Sequence, residues 1–113
     1  MAINVKIAGE STPRFATDTG VGTTCTQIRA EAGVSVTILA SGAIYLFNGV
    51  AEGGSVPAVT SRIELSADEA AQGIKIKVGR VYINGRMTRM GIGGTICVAA
   101  KTGTVTVRVI AER

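Results

Sequence analysis

The chain has no histidine and no tryptophan, and it has only two phenylalanines, two tyrosines and two cysteines in 113 residues. The missing histidine excludes histidine-based catalytic triads, histidine zinc sites and the usual general base near neutral pH. The scarcity of aromatics means that the core must be built from small and β-branched side chains, which bury little area each. Modest stability in isolation is expected, with a gain on assembly with copies of itself or with a partner. Cys25 and Cys97 match no zinc or redox spacing. They read as small buried hydrophobes, with a disulfide between them left open. No apolar run approaches the length that spans a bilayer. The first residues, Met1 to Ile7, alternate apolar and polar and lack the charged and apolar regions of a signal peptide. A soluble product made in the cytoplasm, without a membrane partner, is the expectation. No Walker loop, dinucleotide fingerprint or cysteine cluster is present. Gly91, Gly93 and Gly94 fall between strands rather than at a helix start, so no phosphate cradle is expected there. Neither a cofactor nor a metal is implied.

Acid is scarce in one part of the chain only. Residues 1–69 hold four basic groups and seven acidic ones, whereas residues 70–113 hold eight basic groups and a single acid, Glu112. The two parts carry −3 and +7, together the net +4 of the whole. A compact domain with this split presents a positive surface, and such a field favours acidic partners. Binding, not catalysis, is the first inference.

What is there in quantity is period-two alternation, the mark of strands with one buried face. Val105, Val107 and Val109 alternate with Thr104, Thr106 and Arg108, and Val34, Val36 and Ile38 alternate with Ser35 and Thr37. Ile44-Tyr45-Leu46-Phe47 is apolar on both faces and reads as a central strand or one buried in an interface. Further strands are expected at 26–30, 59–65, 74–78, 80–84, 86–90 and 95–100, with glycines supplying turns between them. One helix signal interrupts the pattern. Ser66-Ala67-Asp68-Glu69 is a capping box, and Gly73 can close the helix in a left-handed conformation, so a short helix is expected near 66–72. Asp68 and Glu69 then serve the helix dipole, which explains their clustering with Glu64 without any catalytic role. Asn84-Gly85 favours a type I′ hairpin that sets Ile83 opposite Arg86, Tyr82 opposite Met87, Val81 opposite Thr88 and Arg80 opposite Arg89. Residues 9–24 and 48–58 are polar and glycine-rich and read as long loops that contact something or stay mobile. The fold class is all-β: one domain over residues 1–113, an antiparallel β-sandwich or β-barrel with one short helix.

Two constellations bear on function. Asp18-Thr19-Gly20 resembles the active-site triplet of aspartic proteases, and Met90-Gly91-Ile92-Gly93-Gly94 resembles the glycine-rich flap of the retroviral members. That resemblance implies a homodimer in which two copies of Asp18 share a proton and activate water. Three departures stand against it. Thr17 precedes Asp18 where the family has an apolar residue, flap and aspartate are about 70 residues apart, and no second apolar-apolar-glycine segment follows. The other constellation is basic: Lys75, Lys77, Arg80, Arg86 and Arg89. Lys75 and Lys77 alternate with Ile74 and Ile76, as on the solvated face of an edge strand, where lysine also blocks edge pairing. Opposed Arg80 and Arg89 would repel unless an anion or carboxylate relieved them. These five residues are the candidate partner-binding set. Nucleic acid is the second reading, a β-barrel making phosphate contacts, but only Tyr82 in this stretch could stack on a base.

In size, in Ala/Gly/Thr/Val richness and in its early strand, the chain resembles the capsid decoration (cement) proteins of tailed bacteriophages. The resemblance implies a non-enzymatic virion protein, made in the host cytoplasm and bound to the capsid surface. Such a protein would be a homotrimer that clamps neighbouring coat subunits of the major capsid protein and stabilises the shell through multivalency. On that reading the Lys75–Arg89 hairpin faces acidic coat residues, and loop 9–24 packs on the shell or on a neighbouring copy.

Overall fold

The computed structural model describes residues 3–5, 14–30, 35–77, 80–83, 86–87 and 95–112. They form an all-β fold of two sheets with one short helix. The five-stranded sheet has the order β1 (Ile3–Val5), β3 (Thr26–Ala30), β10 (Thr95–Ala100), β5 (Ile44–Phe47), β6 (Ile63–Leu65). The six-stranded sheet has the order β2 (Arg14–Val21), β11 (Val105–Glu112), β4 (Ser35–Ala40), β7 (Ile74–Lys77), β8 (Arg80–Ile83), β9 (Arg86–Met87). Every pairing is antiparallel except β1 with β3, which is parallel. The expected all-antiparallel arrangement is corrected at that edge.

The alternation in the sequence is what makes one face of each sheet apolar. Along β11, Val105, Val107, Val109 and Ala111 are buried while Thr106, Arg108 and Glu112 are exposed. Along β4, Val36, Ile38 and Ala40 are buried. These residues join Ile28, Ile44, Leu46, Val98 and Ala100 of the other sheet in one cluster, so the inward rows of both sheets make a common core. β5 lies between β10 and β6, as its two apolar faces require.

The helix α1 (Ala67–Gln72) follows its expected signals. Ser66 Oγ accepts from Glu69 N at 3.2 Å, and Glu69 Oε1 accepts from Ser66 N at 3.0 Å, so two orphan amides are satisfied reciprocally. α1 joins β6 of one sheet to β7 of the other, and Ala70 enters the core. Gly73 ends the helix at φ +101° and ψ 141°, a conformation open to glycine but extended, not the left-handed helical closure expected.

Two segment expectations are corrected, and a third segment gains its contacts. Residues 9–24 were expected as a loop, yet Arg14–Val21 is an eight-residue strand paired with all of β11. Its alternate positions are threonines, Thr17 and Thr19, which share the β-branched geometry of valine without its hydropathy. Within 59–65, Val59–Ser61 is a turn of 3₁₀ helix and only Ile63–Leu65 is strand. The remaining segment, 48–58, has no regular structure but is not free. It lies as a strap across the outer face of the five-stranded sheet. There Val50 and Val56 pack with Tyr45 onto Cys25, Phe47, Cys97 and Ala99, a second apolar cluster separate from the main core. Backbone bonds pin it: Cys25 N–H donates to Gly54 O at 2.8 Å, and Gly53 N–H donates to Cys25 O at 2.8 Å. Gln27 adds two more, from its N–H to Glu52 Oε1 at 2.7 Å and from its Nε2 to Val50 O at 2.8 Å.

Candidate partner-binding face

β7 carries the first two candidate cations. Ile74 and Ile76 are buried, so the period of two leaves Lys75 and Lys77 exposed on the outer face of the six-stranded sheet. Arg80 opens β8 and is also exposed. The register sets Lys77 directly opposite Arg80 and Lys75 opposite the half-buried Tyr82. Like charges directly across a ladder repel. Among the described residues, Lys75, Lys77 and Arg80 have no carboxylate partner in an ion pair.

The sequence reading placed Arg80 against Arg89. Arg89 lies outside the described residues, as do Thr88, Asn84 and Gly85, but the two hairpin pairs that are described, Tyr82 with Met87 and Ile83 with Arg86, have the expected register. That register separates Arg86 from the other cations. It pairs with Ile83, whose partner on β7 is the buried Ile74, so Arg86 stands in a row with Ile74 and not in a row with Lys75 or Lys77. The structure therefore brings together three of the five predicted residues. It also brings Thr37 beside Lys75 from β4, and a shallow depression lined by Ser35, Thr37, Lys75 and Glu112 adjoins them. Ser35, Thr37 and Glu112 were not singled out in the sequence. The alternation that places them on this face was legible, but which strands lie beside β7 was not.

Asp18 has an arginine as its partner within the chain. It sits within β2 rather than in a loop, opposite Arg108 on β11. Arg108 Nε donates to Asp18 Oδ1 at 2.8 Å and its NH2 nitrogen donates to Oδ2 at 3.1 Å. The hydrogen bond from Arg108 holds the Asp18 carboxyl below its ordinary value of 3.8. Among the described residues no group of three or more His, Cys, Asp or Glu side chains is placed to hold a metal ion, and no helix is long and apolar enough to cross a membrane.

The chain matches no family model, no curated protein and no solved structure. The bacteriophage description, a virion cement protein trimerising on a capsid, is accordingly given up. It rested on general character, and it gave loop 9–24 to the shell or a neighbouring copy, whereas half of that segment is a strand paired within the chain.

Proposed function

We propose that this protein is a non-catalytic binding module that docks through the outer face of β7 and β8 onto an acidic surface of a protein partner. The observation that carries the reading is the pairing of Lys77 with Arg80, both exposed, with no carboxylate partner among the described residues, and with Lys75 two residues away on the same face. A like-charge pair lowers the stability of the isolated domain. A partner's carboxylates relieve that repulsion on binding, so the complex gains both the new attraction and the lost strain. Tyr82 and Thr37 flank Lys75 with a flat, partly apolar floor, which suits a protein surface better than a bare polyphosphate. The frame is a sandwich in this reading: two sheets share one core, and the docking face is the outer side of the larger sheet.

Retention on immobilised poly-glutamate and on duplex DNA, each over a salt gradient, tests the proposal. Wild-type protein is expected to bind poly-glutamate at low salt, the double variant Lys77→Gln/Arg80→Gln to lose most of that retention, and Lys101→Gln, which removes an exposed lysine elsewhere, to keep it. Equal retention of wild type and double variant overturns the proposal. Preferential retention on DNA with a steep salt slope replaces the acidic protein by nucleic acid.

A further inference from the structure

The strap covers two thiols that the proposed binding face does not use. Cys25, just before β3, and Cys97, on the neighbouring β10 of the five-stranded sheet, are almost fully buried, at 1% and 0% exposure. Both are free. Both donate to one acceptor on the strap, the Val50 carbonyl, from Cys25 Sγ at 3.7 Å and from Cys97 Sγ at 3.5 Å. We propose that Cys25 and Cys97 are a redox modification site gated by the strap, covered and kept as thiols while it is down and closed to an intramolecular disulfide by a low-molecular-weight disulfide when it lifts.

The register explains why the closed strap keeps them reduced. Cys97 stands opposite Gln27, and Thr26 is opposite Val98, so Cys25 falls one step beyond the last described pair, diagonal to Cys97. Diagonal neighbours across strands are about 7–8 Å apart, beyond the roughly 4.4–6.8 Å between Cα atoms that a disulfide spans. At that separation closing the bond asks Cys25 to shift, bringing together thiols that already lie within hydrogen-bond reach of each other. Cys25 lies just outside the β3–β10 ladder, and the backbone bonds that hold it in place run to the strap, at Gly53 and Gly54. Lifting the strap frees the one residue whose shift closes the gap.

The same movement controls reactivity. Burial, with the Cys97 thiol and the Glu52 carboxylate nearby, pushes the Cys25 thiol up to about 12. The nucleophile in thiol–disulfide exchange is the thiolate, so covered Cys25 is a poor nucleophile at neutral pH, and hydration on opening restores its acidity. With oxidised glutathione as reagent, one cysteine thiolate attacks its S–S bond, forms a mixed disulfide and releases one glutathione. The second cysteine, having lost its proton to water, attacks the first cysteine's sulfur and releases the second. Two electrons and two protons pass from the cysteine pair to the reagent. The product has no S–H to donate to Val50 O and presents a displaced Cys25 to Gly54, so the strap stays up and the Phe47–Ala99 surface is uncovered.

The test is incubation of the folded chain with oxidised glutathione near neutral pH, quenching with iodoacetamide, intact mass, and limited proteolysis of 48–58. The native chain is expected to lose two hydrogens while keeping its β circular dichroism, and its strap is expected to be cut severalfold faster. Cys25→Ser is expected to stop at one glutathione on Cys97, and Gly53→Ala, which strains the strap's turn, to speed closure. Closure only in urea, adducts that persist on both cysteines, disulfide-linked dimers in place of the intramolecular product, or an oxidised chain with unchanged strap cleavage would each overturn it.

Discussion

The two sheets turn the same kind of outer face to opposite uses. On the five-stranded sheet the outer row Cys25, Cys97, Phe47 and Ala99 is apolar and is sealed by residues 48–58. On the six-stranded sheet the outer face carries Lys75, Lys77, Arg80, Arg108 and Asp18, and its charges stay exposed. On the first face the strap bonds Cys25 and Gln27 and covers the apolar row. The second keeps a like-charge pair that has no carboxylate partner among the described residues. The apolar outer row is covered by the chain's own strap, whereas the basic residues of β7 and β8 stay exposed. That contrast is the basis of the proposal that the basic face serves association.

The largest way to break this contrast is to empty the covered face. Phe47 is fully buried there, so Phe47→Ala should cost about 3–5 kcal/mol in urea unfolding. A cost well below that would mean that the strap adds little. Next is the strap's own turn, in which Gly54 N–H donates to Ala51 O at 2.9 Å and Gly53 sits at φ +82°. A side chain at that φ costs roughly 1–2 kcal/mol, so Gly53→Ala should lower stability by that amount and raise protease sensitivity between residues 48 and 58. The bare face should respond in the opposite direction. Lys77→Gln removes one member of the repelling pair and should leave the denaturation midpoint unchanged or slightly higher, more so at low salt than at high salt. A loss of stability would show that Lys77 serves the fold.

The smallest effect expected is the pH dependence that each face contributes. On the open face, the Arg108 hydrogen bond lowers the Asp18 pKa. On the covered face, desolvation works to raise the Glu52 pKa, the hydrogen bond from the Gln27 amide works against it, and on balance the value is lowered. A depressed folded-state pKa gives stability that is fully present above the ordinary values of 3.8 and 4.5 and is lost as pH falls through the lower folded ones. Denaturation midpoints should therefore be insensitive to these groups near neutrality and fall in acid. Asp18→Asn should remove part of that fall, and added salt should shrink the Asp18 share, because both partners in its ion pair are half exposed. An acid profile identical in Asp18→Asn and wild type would show that the exposed pair contributes nothing.

Much of the frame was legible in the sequence because strands and caps are written locally. The alternation of Val105–Val109 with polar residues marks a strand whatever its neighbours, and Ser66 with Glu69 closes a capping box within four residues. The Asn84-Gly85 signal likewise implied the register found for Tyr82 with Met87 and Ile83 with Arg86. β2 was illegible because threonine, not valine, holds its alternate positions, so hydropathy gave no period. The strap was illegible because its order comes from Gln27, Cys25 and the outer row of a sheet assembled from distant segments. The candidate site divides along the same line. Its composition was already present in the surplus of basic residues after position 69. Which of them meet depends on strand pairing: β7 with β8 sets Lys77 against Arg80, and the hairpin register puts Arg86 in another row. The sequence by itself determined the class of the fold, the helix and the sign of the surface, because period, capping and charge are properties of neighbouring residues. Only the tertiary structure decided which face is closed and which stays open, because coverage depends on what distant parts of the chain lay across each sheet.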